Sequence, residues 1–212
     1  MRRVVVDARN PDDQALQDAA FVIRTGGIVA IPTDTLYGLA VSPFNVDAVA
    51  RVFALKRRRD DRAMPLVAAD ITQVTERIGP LPAHARRLAS HFWPGPLTIV
   101  LPAPPTLAPA VTGGTGTVGV RVPAHEVTRA LCWACLLPLT ATSANISGAA
   151  PATDPDDVER TLGGWIDLLI DAGPAPGGAP STIVDATGPN VTLVREGAIP
   201  WAKIETAART IF

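Results

Sequence analysis

Gly26-Gly27-Ile28-Val29-Ala30-Ile31-Pro32-Thr33-Asp34-Thr35 decides the fold class. Its four central residues are apolar on both faces, as in a strand covered from both sides, and they empty into a polar turn. Upstream, Asn10-Pro11-Asp12 is a helix start. Leu16, Ala19, Ala20 and Ile23 follow at i, i+3, i+4 and i+7, and the paired glycines stop the helix. A hydroxyl-rich turn at the end of a buried strand suggests a site.

The same alternation continues downstream. Val46, Val49, Ala50 and Phe53 repeat the helical spacing, as do Ala85, Leu88, Ala89 and Phe92, and Val127, Ala130, Leu131 and Ala134. Strands are expected over Pro65–Ala68, Leu97–Leu101, Val118–Val122, Leu136–Thr142, Leu168–Asp171, Ser181–Val184 and Val191–Arg195, with a short closing helix in Pro200–Phe212. The pattern predicts an α/β fold in one domain over residues 1–212, with Pro102–Gly116 and Gly173–Pro180 as internal loops.

Composition removes several classes. The chain has 212 residues, is 47% hydrophobic and 5% aromatic, and carries a formal net charge of −1. It is too apolar for disorder, too poor in rings to bind single strands by stacking, and without a global charge for nucleic acid. Two cysteines make no disulfide framework, the start is unlike a signal peptide, and no apolar run is long enough to span a membrane. A cytoplasmic protein is expected.

Only two of the 19 basic residues are lysines, Lys56 and Lys203, so anion binding falls mainly to arginine. Lys56 opens the densest charge cluster, Lys-Arg-Arg-Arg-Asp-Asp-Arg over residues 56–62, five positive and two negative. Such a run is an anion site or a solvated helix end. Thr140-Ala141-Thr142-Ser143-Ala144-Asn145-Ile146-Ser147-Gly148 leaves a strand as small polar groups, either a capped turn or a place where ligand approaches backbone. Ser181 begins a strand, and Arg121 and Arg195 lie in or end apolar strands. A buried arginine there needs an internal carboxylate or a ligand anion.

Other chemistries lack their signatures. There is no Gly-Lys-Ser/Thr, Gly113-Gly114-Thr115-Gly116 leads into a strand, and no serine stands in Gly-x-Ser-x-Gly. His84, His91 and His125 have no zinc-protease spacing and read as surface residues, so no metal ligands are assigned. Cys132-Trp133-Ala134-Cys135 matches C-x-x-C but falls late in an apolar helix, where buried thiols serve packing. Trp93 in its Pro-Gly-Pro turn reads as a packing anchor.

Seven blocks in order carry a resemblance: Ile31–Ala40, Phe53–Leu66, Phe92–Leu101, Val118–Pro123, Thr140–Gly148, Ser181–Asp185 and Val194–Ile199. Over about Gly26 to Gly197 the chain resembles the YrdC/Sua5 family, whose Lys-x-Arg and Ser-x-Asn hallmark stands here as Lys56, Arg58, Ser143 and Asn145. The resemblance implies a twisted mixed sheet with flanking helices around a concave basic cavity. It implies a nucleotidyltransferase that joins L-threonine, bicarbonate and ATP, with Mg²⁺, into threonylcarbamoyl-AMP and pyrophosphate. A separate threonylcarbamoyl transferase then modifies adenosine 37 of tRNA, so this chain binds tRNA at most weakly. Lys56, Arg58 and Ser143 are the implied catalytic residues. Asn145, Arg195, Thr117 and Arg62 join them on ATP, and Thr35, Tyr37, Arg121 and Ser181 hold threonine and its carbamate.

The chain departs from the family pattern in a longer link, Arg59–Met64, and in having Val67-Ala68-Ala69 where many relatives carry a histidine. Two alternatives accompany the resemblance: a double-stranded-RNA-binding module of the same fold, and a carbamoyl-transfer relative with another substrate.

Overall fold

The computed structural model describes residues 1–57 and 63–209. Asp12 starts α1 (Asp13–Arg24) by accepting the Ala15 N–H at 2.9 Å, satisfying one donor that every helix start leaves open. Leu16, Ala19, Ala20 and Ile23 form its buried stripe. Asn45 caps α2 (Val46–Lys56) in the same way, and Arg57, left-handed at φ 49°, ends it. The remaining helices are α3 (Ile71–Arg77), α4 (Ala83–Phe92), α5 (Pro109–Thr112), α6 (Glu126–Cys135), α7 (Pro155–Leu162) and α8 (Trp201–Arg209).

The strands divide between two mixed sheets. β1 (Arg2–Val5), β9 (Leu168–Asp171), β2 (Val29–Ile31), β3 (Gly38–Ala40) and β8 (Thr142–Ser143) form one in that order. The other runs β11 (Thr192–Arg195), β10 (Thr182–Asp185), β5 (Leu97–Pro102), β6 (Thr117–Arg121), β4 (Leu66–Val67) and β7 (Leu139–Thr140).

Two apolar cores explain why β2 is apolar on both faces. Ile28 and Ala30 join one core with Leu39, Leu97, Ile99, Val118 and Val120. Val29 and Ile31 join the other, where the buried stripes of α1 and α6 cover the first sheet. In β5 and β6 the period of two puts Leu97, Ile99, Val118 and Val120 in the core, and turns Thr98, Gly119 and Arg121 to the opposite face. That face floors the site.

Four expectations change in detail. The mixed α/β architecture stands, but as two sheets rather than one. Leu136–Thr142 is not one strand: Leu136 is a left-handed helix cap at φ 58°, and the rest divides into β7 and β8 on different sheets. The Pro102–Gly116 segment contains α5, with Pro109 in its first turn, where the missing proline N–H costs nothing. His84 and His125 are half-buried rather than surface residues; a ring nitrogen of His84 lies 3.1 Å from the Ala186 carbonyl, and the Nδ1 of His125 is buried without a partner. Cys132 and Cys135 are buried free thiols, and burial raises the pKa of both. Among the described residues no helix is long and apolar enough to cross a membrane.

Candidate active site

Helix periodicity decides what Lys56 does. Val49, Val52, Phe53 and Lys56 stand at i, i+3, i+4 and i+7 of α2, so the lysine lies on the buried stripe, only 3% exposed. Its ammonium donates to the Ser143 carbonyl, to the Asn145 carbonyl at 3.0 Å and to Asn145 Oδ1 at 2.9 Å. Ser143 Oγ donates to the same Oδ1 at 2.6 Å, and the Asn145 amide donates to the Ala149 carbonyl. Charge-assisted bonds of this kind hold the Ser-x-Asn turn against the end of α2.

That turn forms one wall of a cavity of about 630 Å³, the right order for a small-molecule site. Ser143 lines it from β8, with Thr35 and Tyr37 from the β2–β3 connection, Arg121 from the end of β6, Ser181 ahead of β10 and Arg195 from β11. Six predicted residues from distant segments thus share one space. Lys56 and Asn145 lie behind the wall and are not among the lining residues. Thr117 is also absent from the lining; it stands at the far end of β6 from Arg121, opposite Pro102, and its hydroxyl bonds that of Thr115 at 3.0 Å. Arg58 and Arg62 lie outside the described residues.

The polar groups differ in how they are held. Thr33 Oγ1 accepts the N–H groups of Thr35 and Leu36 and donates to the Leu36 carbonyl, which fixes the turn; Thr35 Oγ1 lies 3.1 Å from it. Tyr37 is buried in the core. Its hydroxyl donates to the Gly173 carbonyl at 2.7 Å, and burial pushes its pKa up to about 12, so it stays protonated and ties β3 to the end of β9. Ser181 Oγ lies 2.9 Å from Thr98 Oγ1, and Arg195 donates to the Ser181 carbonyl at 2.8 Å.

Arg121 has the internal partner its burial demands. Its Nη2 bonds Asp34 Oδ1 and its Nε donates to the Gly95 carbonyl at 2.9 Å. Burial lowers the pKa of this guanidinium and Asp34 opposes the shift. Gly95, in the Trp-Pro-Gly-Pro turn, donates to Val122, and a Cβ there would meet the Phe92 carbonyl at 2.5 Å, so this support requires glycine. His125, which opens α6, has its pKa lowered by burial, against Asp34 and Glu126. Asp34 and Thr98 were not singled out as site residues. A hydroxyl at the second position of the apolar strand Leu97–Leu101 was the available signal, because period two puts it off the core face.

Fold and cavity define a YrdC-type α/β protein with a cavity between two sheets, lined in part by hydroxyl and arginine side chains. Residues 21–197 match the family Sua5_yciO_yrdC, described as telomere recombination, and the chain belongs to that family. It is 38% identical over 202 residues to a threonylcarbamoyl-AMP synthase of Bacillus subtilis, covering 95% of this chain and 58% of the relative. It is 43% identical over 155 residues to one of Halorhodospira halophila, covering 73% and 81%. The crystal structure of Pyrococcus abyssi Sua5 complexed with L-threonine superposes with a TM-score of 0.91 at 36% identity, covering 98% of this chain and 61% of that one. The chain thus spans about three fifths of the length of the Bacillus relative and the Pyrococcus structure.

Proposed function

We propose that this chain is a nucleotidyltransferase that forms threonylcarbamoyl-AMP and pyrophosphate from L-threonine, bicarbonate and ATP. The observation that carries the reading is the single cavity joining Thr35, Arg121 and Ser181 to Ser143 and Arg195. In this reading the threonine amine captures bicarbonate as a carbamate, with loss of water. A carbamate oxygen attacks the α-phosphorus of ATP, and pyrophosphate leaves. No covalent enzyme intermediate is needed, so the protein's task is positioning and charge neutralisation.

Arg121 and Ser181 hold the amino acid, with Thr35 and the backbone of Tyr37 forming the wall beside them. Ser143, Arg195, Arg58 and Arg62 hold the nucleotide. Lys56 and Asn145 act from behind by fixing Ser143, and Thr117 reaches ATP only if the nucleotide extends along β6. Among the described residues no group of three His, Cys, Asp or Glu side chains could hold a metal ion, so Mg²⁺ would enter with ATP, held chiefly by its phosphates and water. The product would pass to a separate transferase that acts on tRNA.

Mass spectrometry of the purified chain with ATP, Mg²⁺, bicarbonate and L-threonine tests the reading. Threonine-dependent threonylcarbamoyl-AMP with matching pyrophosphate is expected, and Ser143→Ala should cut turnover about 100-fold, the order of loss for one preorganised polar contact. ATP binding without product, together with steeply salt-dependent affinity for double-stranded RNA, would favour an RNA-binding module instead.

A further inference from the structure

The Arg121 guanidinium carries five N–H groups in a rigid plane, and the fold occupies one edge of it: Nε on Gly95 and Nη2 on Asp34. The edge left over, formed by Nη1 and the second N–H of Nη2, is the one suited to a bidentate carboxylate. The side chain is 9% exposed and lines the cavity, so that edge has only the cavity to meet. Asp34 is itself held firmly, because Thr33 pins its turn from one side and Thr128 Oγ1 bonds the Pro32 carbonyl from the other.

We propose that Asp34 is a positioning residue: it fixes the plane of Arg121 so that the free edge takes the carboxylate of the amino-acid substrate. This rests on the reading above, in which Arg121 holds the amino acid, and adds that the contact is to its carboxylate. Asp34 also cancels the charge of Arg121, so the pair selects a planar carboxylate by geometry rather than by net charge. The two roles predict opposite signs. If Asp34 only neutralised, its removal would leave a bare cation and tighten anion binding; if it positions, removal weakens carboxylate binding.

Calorimetric titration of the full chain with L-threonine and with L-threoninol, which lacks the carboxylate, separates them. The wild type should prefer threonine. Asp34→Asn should raise the threonine Kd about tenfold, the cost of roughly one charge-assisted hydrogen bond, and leave threoninol unchanged, so that the preference collapses. Unchanged or tighter threonine binding in Asp34→Asn would overturn the proposal while leaving the reading intact. A wild type with no preference for threonine would overturn the reading and the proposal with it. Should Asp34→Asn fail to fold, Asp34→Glu decides: it keeps the charge but lengthens the arm, and a threonine Kd raised at least about threefold is expected, whereas a wild-type value would sink the idea.

Discussion

Lys56 and Arg195 share one expectation from the sequence, contact with ATP, and the fold treats them oppositely. Lys56 sits on the buried stripe of α2 with its ammonium enclosed by Ser143 and Asn145. Arg195 ends a strand whose four residues are all exposed, and it donates to the Ser181 carbonyl. The lysine builds a wall and the arginine faces what the wall encloses. A buried cation satisfied by protein oxygens contributes order, and an exposed one keeps its charge available for a ligand.

Breaking the wall should have the largest effect. Lys56→Met removes the buried ammonium that ties the Ser143 and Asn145 oxygens together and should lower the unfolding free energy by about 3 kcal/mol in urea titration. A loss below about 1 kcal/mol would show that the ammonium is not what orders this wall.

The next effect is on pH dependence. Tyr37, whose carbonyl accepts the Ala144 N–H beside Ser143, has a folded pKa of about 12 against an ordinary 10.0, and Cys135 about 12 against 9.0. Raised values mean that the unfolded chain gives up these protons first. Stability is therefore full below about pH 9 and falls as pH rises toward about 12. Tyr37→Phe should flatten the part of that fall above pH 10, as seen in melting temperatures across the range; an unchanged slope would remove the phenol from the account.

The smallest change in stability is expected at Arg195. Arg195→Ala should stay within about 0.5 kcal/mol of wild type while raising the KM for ATP roughly tenfold, which separates ligand contact from architecture. Equal losses of stability at Lys56 and Arg195 would erase the contrast.

Long periodic elements were legible in the sequence. The stripes of α1, α2, α4 and α6 and the apolar runs of β2, β5 and β6 carry enough repeats to be read without a structure. β3, β7 and β8 are two or three residues long, and their positions depend on partners far away in the chain, which no local pattern encodes. The site divides along the same line. Arg121 stands out because a charge in an apolar strand needs a partner, Ser143 because it lies in a run of small polar groups leaving a strand, and Ser181 because a Gly/Pro-rich loop delivers it to a strand start; all three line the cavity. Lys56 is assigned to ATP by the resemblance alone, and its place at i+7 from Val49 adds that it lies on the inward face of α2. Asp34 was hidden within a turn that accounts for an acidic residue by itself.

The passage of the chain from β7 to β8 at Ala141 has a kinetic consequence. Thr140 Oγ1 accepts the Val41 N–H at 3.0 Å across 99 residues of sequence, and two residues later Thr142 pairs with Leu39 in the other sheet. One short segment is therefore the stitch between two sheets, and closing it requires loops of great length before any contact rewards them. Such a stitch is expected to form late on the route to the native state and to open early on the way out. Its amides should exchange with solvent sooner than those of β2 or β5. Ser143 follows the stitch directly, so the cavity wall it forms should be complete only once the two sheets have closed on each other.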